Sequence, residues 1–171
     1  MAVRGTASER YRWELSHRYI NDVIDRATHR TVLTYRLRPD LKIGIEANEK
    51  AHEIGVVANW RVLRETSSRP AIVLGTSSDR IGTPSGQSYF ATASKAFGRI
   101  APYAGVSYSE YEDRFLFPFG VNASLSDAWS AMLMNDGVHT HLAATYARGR
   151  WAFTALAVER KRAGITIGTT F

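Results

Sequence analysis

The sequence predicts an all-β fold, an antiparallel up-and-down barrel of about twelve strands, with short turns at one end and longer loops at the other. Three observations carry that expectation. Apolar and polar residues alternate with a period of two along most of the chain, and the 3.6-residue period of an amphipathic helix is nearly absent. Turn-forming residues interrupt the alternation at short intervals. The alternation also runs to the last residue, Phe171, where chain ends are ordinarily polar and frayed.

The clearest strands justify the period. In LKIGIEAN, Leu41, Ile43, Ile45 and Ala47 oppose Lys42, Gly44, Glu46 and Asn48. In EIGVVANWRVL, Ile54, Val56, Ala58, Trp60 and Val62 oppose Gly55, Val57, Asn59 and Arg61. In FLFPFGVNASLSD, Phe115, Phe117, Phe119, Val121, Ala123 and Leu125 share one face. Such strands have one apolar and one polar environment. The same reading along the chain places strands at 11–20, 29–38, 41–48, 53–64, 70–76, 87–97, 102–111, 115–126, 128–135, 140–148, 150–159 and 163–171. Residues 1–10 read as an N-terminal extension and 11–171 as one barrel domain, without a linker or low-complexity tract.

The connections suggest a polarity. Arg38-Pro39-Asp40, Ser126-Asp127-Ala128 and Arg148-Gly149-Arg150 are tight and follow even-numbered strands. SSDRIGTPSG at 77–86 and NDGVH at 135–139 follow odd-numbered ones, while 65–69 is a longer exception on the tight side. An even strand count with both termini at the tight end satisfies this parity.

Composition narrows the class. The 171 residues carry 22 basic and 16 acidic side chains, for a net charge of +6, and no cysteine. The basic residues are scattered rather than clustered, which argues against nucleic acid as a partner. The absence of cysteine excludes a disulfide framework, a thiolate metal site and a Cys nucleophile. No run reaches the ~18 apolar residues of a membrane helix. The N-terminal stretch MAVRGTASERYRWELSHRYI lacks the apolar core of a secretory signal, which is met either by a chain that stays in the cell or by a mature form with a start Met.

The terminal strand discriminates further. A barrel closed in lipid pairs its last strand with its first, because an open edge strands backbone groups without partners. Ile165, Ile167, Thr169 and Phe171 form the outward face of such a strand, with Phe171 at the aromatic rim. This resembles the C-terminal signature of bacterial outer-membrane β-barrels, alternating apolar residues closed by an aromatic. The resemblance implies a bacterial outer-membrane location, the lipid bilayer as surroundings, and recognition of Ile165, Ile167 and Phe171 by the barrel-assembly machinery, with other envelope proteins as further partners. Residues 69–98, RPAIVLGTSSDRIGTPSGQSYFATASKAFG, are loosely similar to a barrel family associated with exopolysaccharide export.

In a transmembrane barrel the apolar face is outside and the polar face lines the lumen; a soluble β-barrel or sandwich holding an apolar ligand has the reverse arrangement. Inversion is favoured by aromatics near strand ends (Tyr11, Trp13, Trp60, Trp129, Trp151, Phe171), by charge on the opposite faces, and by a negative mean hydropathy of -0.23.

On that reading Arg12, Glu14, Arg18, Arg36, Arg38, Lys42, Glu46, Asn59 and Arg61 line the lumen. Rings of Arg and Lys select anions; alternatively, opposite charges pair across strands and fill a small barrel. Ser77, Ser78, Asp79 and Arg80 belong to a loop long enough to fold inward and narrow a pore, or to bind something outside. His139 and His141 stand two apart with Asp136 near, a pair short of the ligands a stable metal site needs. No Gly-x-Ser-x-Gly elbow accompanies the serines, Ser107 and Ser109 included, and a Ser/His lipid hydrolase on the barrel wall is the remaining enzymatic reading. The expectation is therefore a non-enzymatic, porin-like channel or a structural component of the envelope, without cofactor or metal.

Overall fold

A computed structural model of the chain describes residues 11–171. The predicted extension at 1–10 lies outside the described residues. The strands are β1 (Trp13–Ile20), β2 (His29–Arg38), β3 (Leu41–Asn48), β4 (Glu53–Leu63), β5 (Ala71–Ser78), β6 (Gln87–Ser94), β7 (Ile100–Ser109), β8 (Arg114–Leu116), β9 (Phe119–Ser124), β10 (Trp129–Asn135), β11 (Thr140–Arg148), β12 (Trp151–Val158) and β13 (Arg162–Thr170). A four-residue helix α1 (Asp25–Thr28) and a 3-10 turn at Glu49–Ala51 interrupt two connections.

All pairings are antiparallel and the sheet closes on itself, with 12 strands around the barrel. β1 meets β13 in register from Glu14↔Thr170 to Ile20↔Gly164, and Phe171 N donates to Trp13 O at 3.0 Å, so the edges seal. β8 and β9 are two halves of one strand. Both pair with β7 on a single register, Ser107↔Leu116 and Ala104↔Phe119, and the break falls at Pro118, which has no N–H to give the ladder. Even there Gly105 N reaches Pro118 O at 2.9 Å.

The surface is inverted. Ile54 (78%), Phe117 (68%), Phe115 (64%) and Ile45 (57%) stand exposed on the outer face, and the alternation carries this round the whole barrel. The apolar residues that a soluble calyx would place inside, Phe115, Phe117 and Phe119 among them, point out. Aromatic pairs band the end that holds the termini: Trp13 and Tyr35 lie 4.8 Å apart, Trp129 and Tyr146 5.2 Å. At the other end Tyr89 donates to Glu110 at 2.9 Å, and Tyr19 packs on His29 at 5.0 Å. One outward polar cluster interrupts the belt there, where His17 Nδ1 lies 2.8 Å from Thr31 Oγ1 and its Nε2 lies 3.3 Å from His29 Nδ1.

Two expectations need correction. The division into short turns and long loops is incomplete: the connections 21–28 and 79–86 lie at the end away from the termini, but residues 64–70 and 95–99 on the terminal side are longer than 49–52, 110–113 and 159–161 on the other. Ser77 and Ser78, expected in the loop, continue β5 because they pair with Ser88 and Gln87. The loop is thus 79–86.

Candidate functional site: the luminal wall and its inward loop

Register assigns the inner face. Glu14, Ser16, Arg18 and Ile20 of β1 lie level with Thr34, Val32, Arg30 and Gly164. β3 continues the charged wall with Lys42, Gly44, Glu46 and Asn48, and β4 with Glu53, Gly55, Val57 and Asn59. Of the residues expected in the lumen, Glu14, Arg18, Arg36, Lys42, Glu46 and Asn59 fall on this face. Three do not enter it. Arg12 precedes β1 and donates to Tyr35 Oη at 3.0 Å from an exposed position. Arg38 lies past a register shift and meets Asp40 at 3.6 Å in the turn. Arg61 donates to Pro39 O at 3.1 Å. All three are rim residues, because alternation keeps its parity while the strand runs out of the barrel.

The charges on the wall pair across strands. Lys42 Nζ donates to Glu14 Oε2 at 2.7 Å. Glu46 is 1% exposed and accepts from Arg30 Nε at 2.7 Å, from Arg30 Nη2, and from Ser78 N on β5. It spans β4 because Gly55 stands opposite: a Cβ there would lie 3.1 Å from the Glu46 carboxylate. Arg30, which shares the parity of Arg36, is a luminal residue that the sequence reading passed over.

The connection 79–86 folds into the barrel mouth. Gly82 and Gly86 take φ of 105° and 100°, the left-handed region that lets the chain double back. Arg26 of α1, 4% exposed, moors it: Nη1 donates to Thr83 Oγ1 at 2.9 Å, Nη2 to Gly86 O, and Nε to Glu53. Glu53 also accepts Gly86 N at 3.2 Å and Asn48 Nδ2 at 3.0 Å. On the far side Asp79 accepts from Ser109 Oγ and from Tyr111 N at 3.3 Å, while Arg80 Nε donates to Glu112 at 3.0 Å. The Arg80 guanidinium holds the Glu112 carboxyl below its usual range, with Arg114 adding to the effect. Nothing in the sequence around Arg26 announces this role; a loop arginine gains it only when three connections converge.

Two cavities flank the loop, of about 250 and 260 Å³. Ile81 lines the first and Asp79 and Arg80 the second, with Met134 common to both. The moored loop thus divides the lumen at its mouth.

The fold is shared with a solved porin. A structure described as "KdgM porin" superposes with a TM-score of 0.62 at 11% identity, covering 93% of this chain and 98% of that one. At that identity the KdgM porin match establishes a common barrel architecture and no residue roles. No protein-family model and no curated protein matches the sequence.

The remaining sequence candidates have structural partners. His141, 4% exposed, lies 3.1 Å from Asp136 Oδ2 through Nε2 and accepts Glu159 N at Nδ1, 3.3 Å. Burial pushes the Asp136 carboxyl up, but bonds from His141 and the His139 and Val138 amides outweigh it and leave it low. His139 turns instead to Glu159, 3.7 Å away. Ser107 pairs with Ser88 at 2.6 Å and Ser77 with Ser78 O at 3.3 Å.

Proposed function

We propose that the protein is a narrow, passive, porin-like channel of the bacterial outer membrane that favours small anions. The observation that carries this reading is an apolar exterior around a basic inner wall, narrowed by an inward loop. Lys42 and Arg30 are matched by Glu14 and Glu46, whereas Arg18 makes no ion pair among the described residues, so the wall keeps a positive potential. That the similar barrel is a porin supports a channel. Ile165, Ile167 and Phe171 on the sealing strand would be the feature read by the barrel-assembly machinery, with the bilayer and other envelope proteins as surroundings. The likeness of 69–98 to export barrels corresponds to β5, the inward loop, β6 and the start of the next turn, and is a finer reading than a shared fold supports.

The test uses the chain refolded from denaturant into detergent. The unboiled band on an SDS gel should migrate apart from the boiled one, and planar bilayers should show small steps whose reversal potential under a KCl gradient has the sign of chloride preference. A cation-preferring potential overturns the anion reading. A heat-shifting barrel without conductance makes it a structural component, and folding in plain buffer without a shift removes the membrane.

A further inference from the structure

The cavity of about 250 Å³ beside the loop has a chemistry that passive conduction does not require. It is lined by β1, β2 and β10–β13 and by Ile81 of the inward loop. Two of its charged or titratable side chains are committed elsewhere. Arg30 is bound to Glu46, and His141 lies between Asp136 and the Glu159 amide. Arg18 differs. Its Nε is buried and makes no hydrogen bond to any described residue, and the charges nearest it are Arg30, Glu46 and Arg26. Glu46, the one carboxylate among these, already accepts from Arg30 and Ser78. A buried guanidinium N–H without an acceptor is unfavourable, and the planar fork of the group matches a carboxylate.

The rest of the cavity is of the opposite character. Met132, Met134, Leu156 and Val158 supply an apolar wall, and Met side chains adapt to varied shapes. An unpaired cation in a hollow lined largely by apolar side chains suits neither a fully hydrated anion nor a neutral hydrocarbon. Phosphate would leave the apolar wall unused, and a neutral ring would leave Arg18 unpaired. An apolar pocket with one placed polar group is the ordinary form of a small-molecule site.

We propose that this cavity binds a small monocarboxylate with a compact apolar body, such as an aromatic acid, its carboxylate on Arg18 and its body against Met132, Met134 and Leu156. The inference deepens the channel reading by naming the solute class, but binding itself requires only the folded barrel.

Benzoate is the probe, titrated calorimetrically into the refolded barrel in micelles against a micelle blank, beside benzamide and inorganic phosphate. Benzoate should saturate a single site and bind at least about tenfold more tightly than either comparator. Arg18→Gln should weaken benzoate by about tenfold or more, leave benzamide unchanged, and keep the heat-dependent gel shift, while Arg36→Gln should change benzoate little. Phosphate binding as well as benzoate, or unchanged benzoate affinity in Arg18→Gln, overturns the proposal. Should Arg18→Gln not refold, Met132→Glu tests the same site from its apolar side. Its tethered carboxylate should exclude benzoate, and retained affinity overturns the proposal. Binding without conductance sinks the channel and leaves the site; conductance without saturable benzoate binding does the reverse.

Discussion

The inner faces of β1–β4 and of β10–β13 come from the same alternation but form different surfaces. The first carries Glu14, Arg18, Arg30, Arg36, Lys42, Glu46 and Glu53; the second carries Ser130, Met132, Met134, Ala143, Thr145, Thr154, Leu156 and Thr166, with His141 and Arg162 at its loop end. The inward loop is tied to the charged wall through Arg26 and Glu53, which bind Thr83 and Gly86, whereas the larger part of the first cavity faces the less charged one. The difference teaches that charge in this lumen works first as scaffolding. Most of it is spent in cross-strand pairs and in holding 79–86 inward, and what remains unpaired sets the field that a solute meets.

Breaking the mooring should have the largest effect. Arg26→Met removes the charged donor from a half-buried Glu53 and the donor of the Gly86 carbonyl, a loss on the order of 1–3 kcal/mol. The midpoint of urea unfolding followed by Trp fluorescence should fall accordingly, and surviving channels should conduct several times more current as the loop leaves the mouth. A substitution on the less charged wall, Thr154→Ala, should change neither. An unchanged conductance in folded Arg26→Met would mean that the loop does not narrow the path.

Charge reversal sharpens the boundary between wall and rim. Arg36→Glu should move the reversal potential toward cations, because Arg36 lies on the inner face level with Lys42. Arg38→Glu should move it much less, because Arg38 sits in the turn beside Asp40. Equal shifts would refute the placement of Arg38 outside the lumen.

Acid should have the smallest effect. Glu112 and Asp136 both titrate below their usual range in the folded protein, so their contribution is complete at neutral pH and fades as pH falls through those lowered values. The far mooring of the loop, Arg80 to Glu112, should therefore loosen below about pH 4, the ordinary carboxylate range. Channel steps should become noisier there, and Glu112→Gln should show that noise at neutral pH as well. A recording that stays equally quiet in both would detach Glu112 from the loop.

Much of the barrel was legible in the residues. The predicted strands at 29–38, 41–48, 128–135 and 140–148 overlay β2, β3, β10 and β11 within a residue, because a closed sheet in lipid forces one apolar and one polar face on each strand and leaves turn residues between. The prediction at 115–126 was one strand for the same reason, and Pro118 broke it into two without shifting its register. Parity placed Glu14, Arg18, Arg36, Lys42, Glu46 and Asn59 on the inner face. It also admitted Arg12, Arg38 and Arg61, because alternation states which way a side chain points and not how far along the barrel axis it lies.

Taken alone, the sequence determined the all-β class, the strand positions, the faces and the sealing of the last strand against the first, since each follows from a period of two and from the need to satisfy every backbone group. Only the tertiary structure decided which charges meet. Glu46 reaches Ser78 across Gly55, Arg26 gathers Glu53, Thr83 and Gly86, and Arg18 Nε is left without a partner among the described residues, because these relations depend on stagger between strands and on the folding of a loop into the space they enclose. Distances across a closed lumen are set by closure, and no local pattern in the chain encodes them.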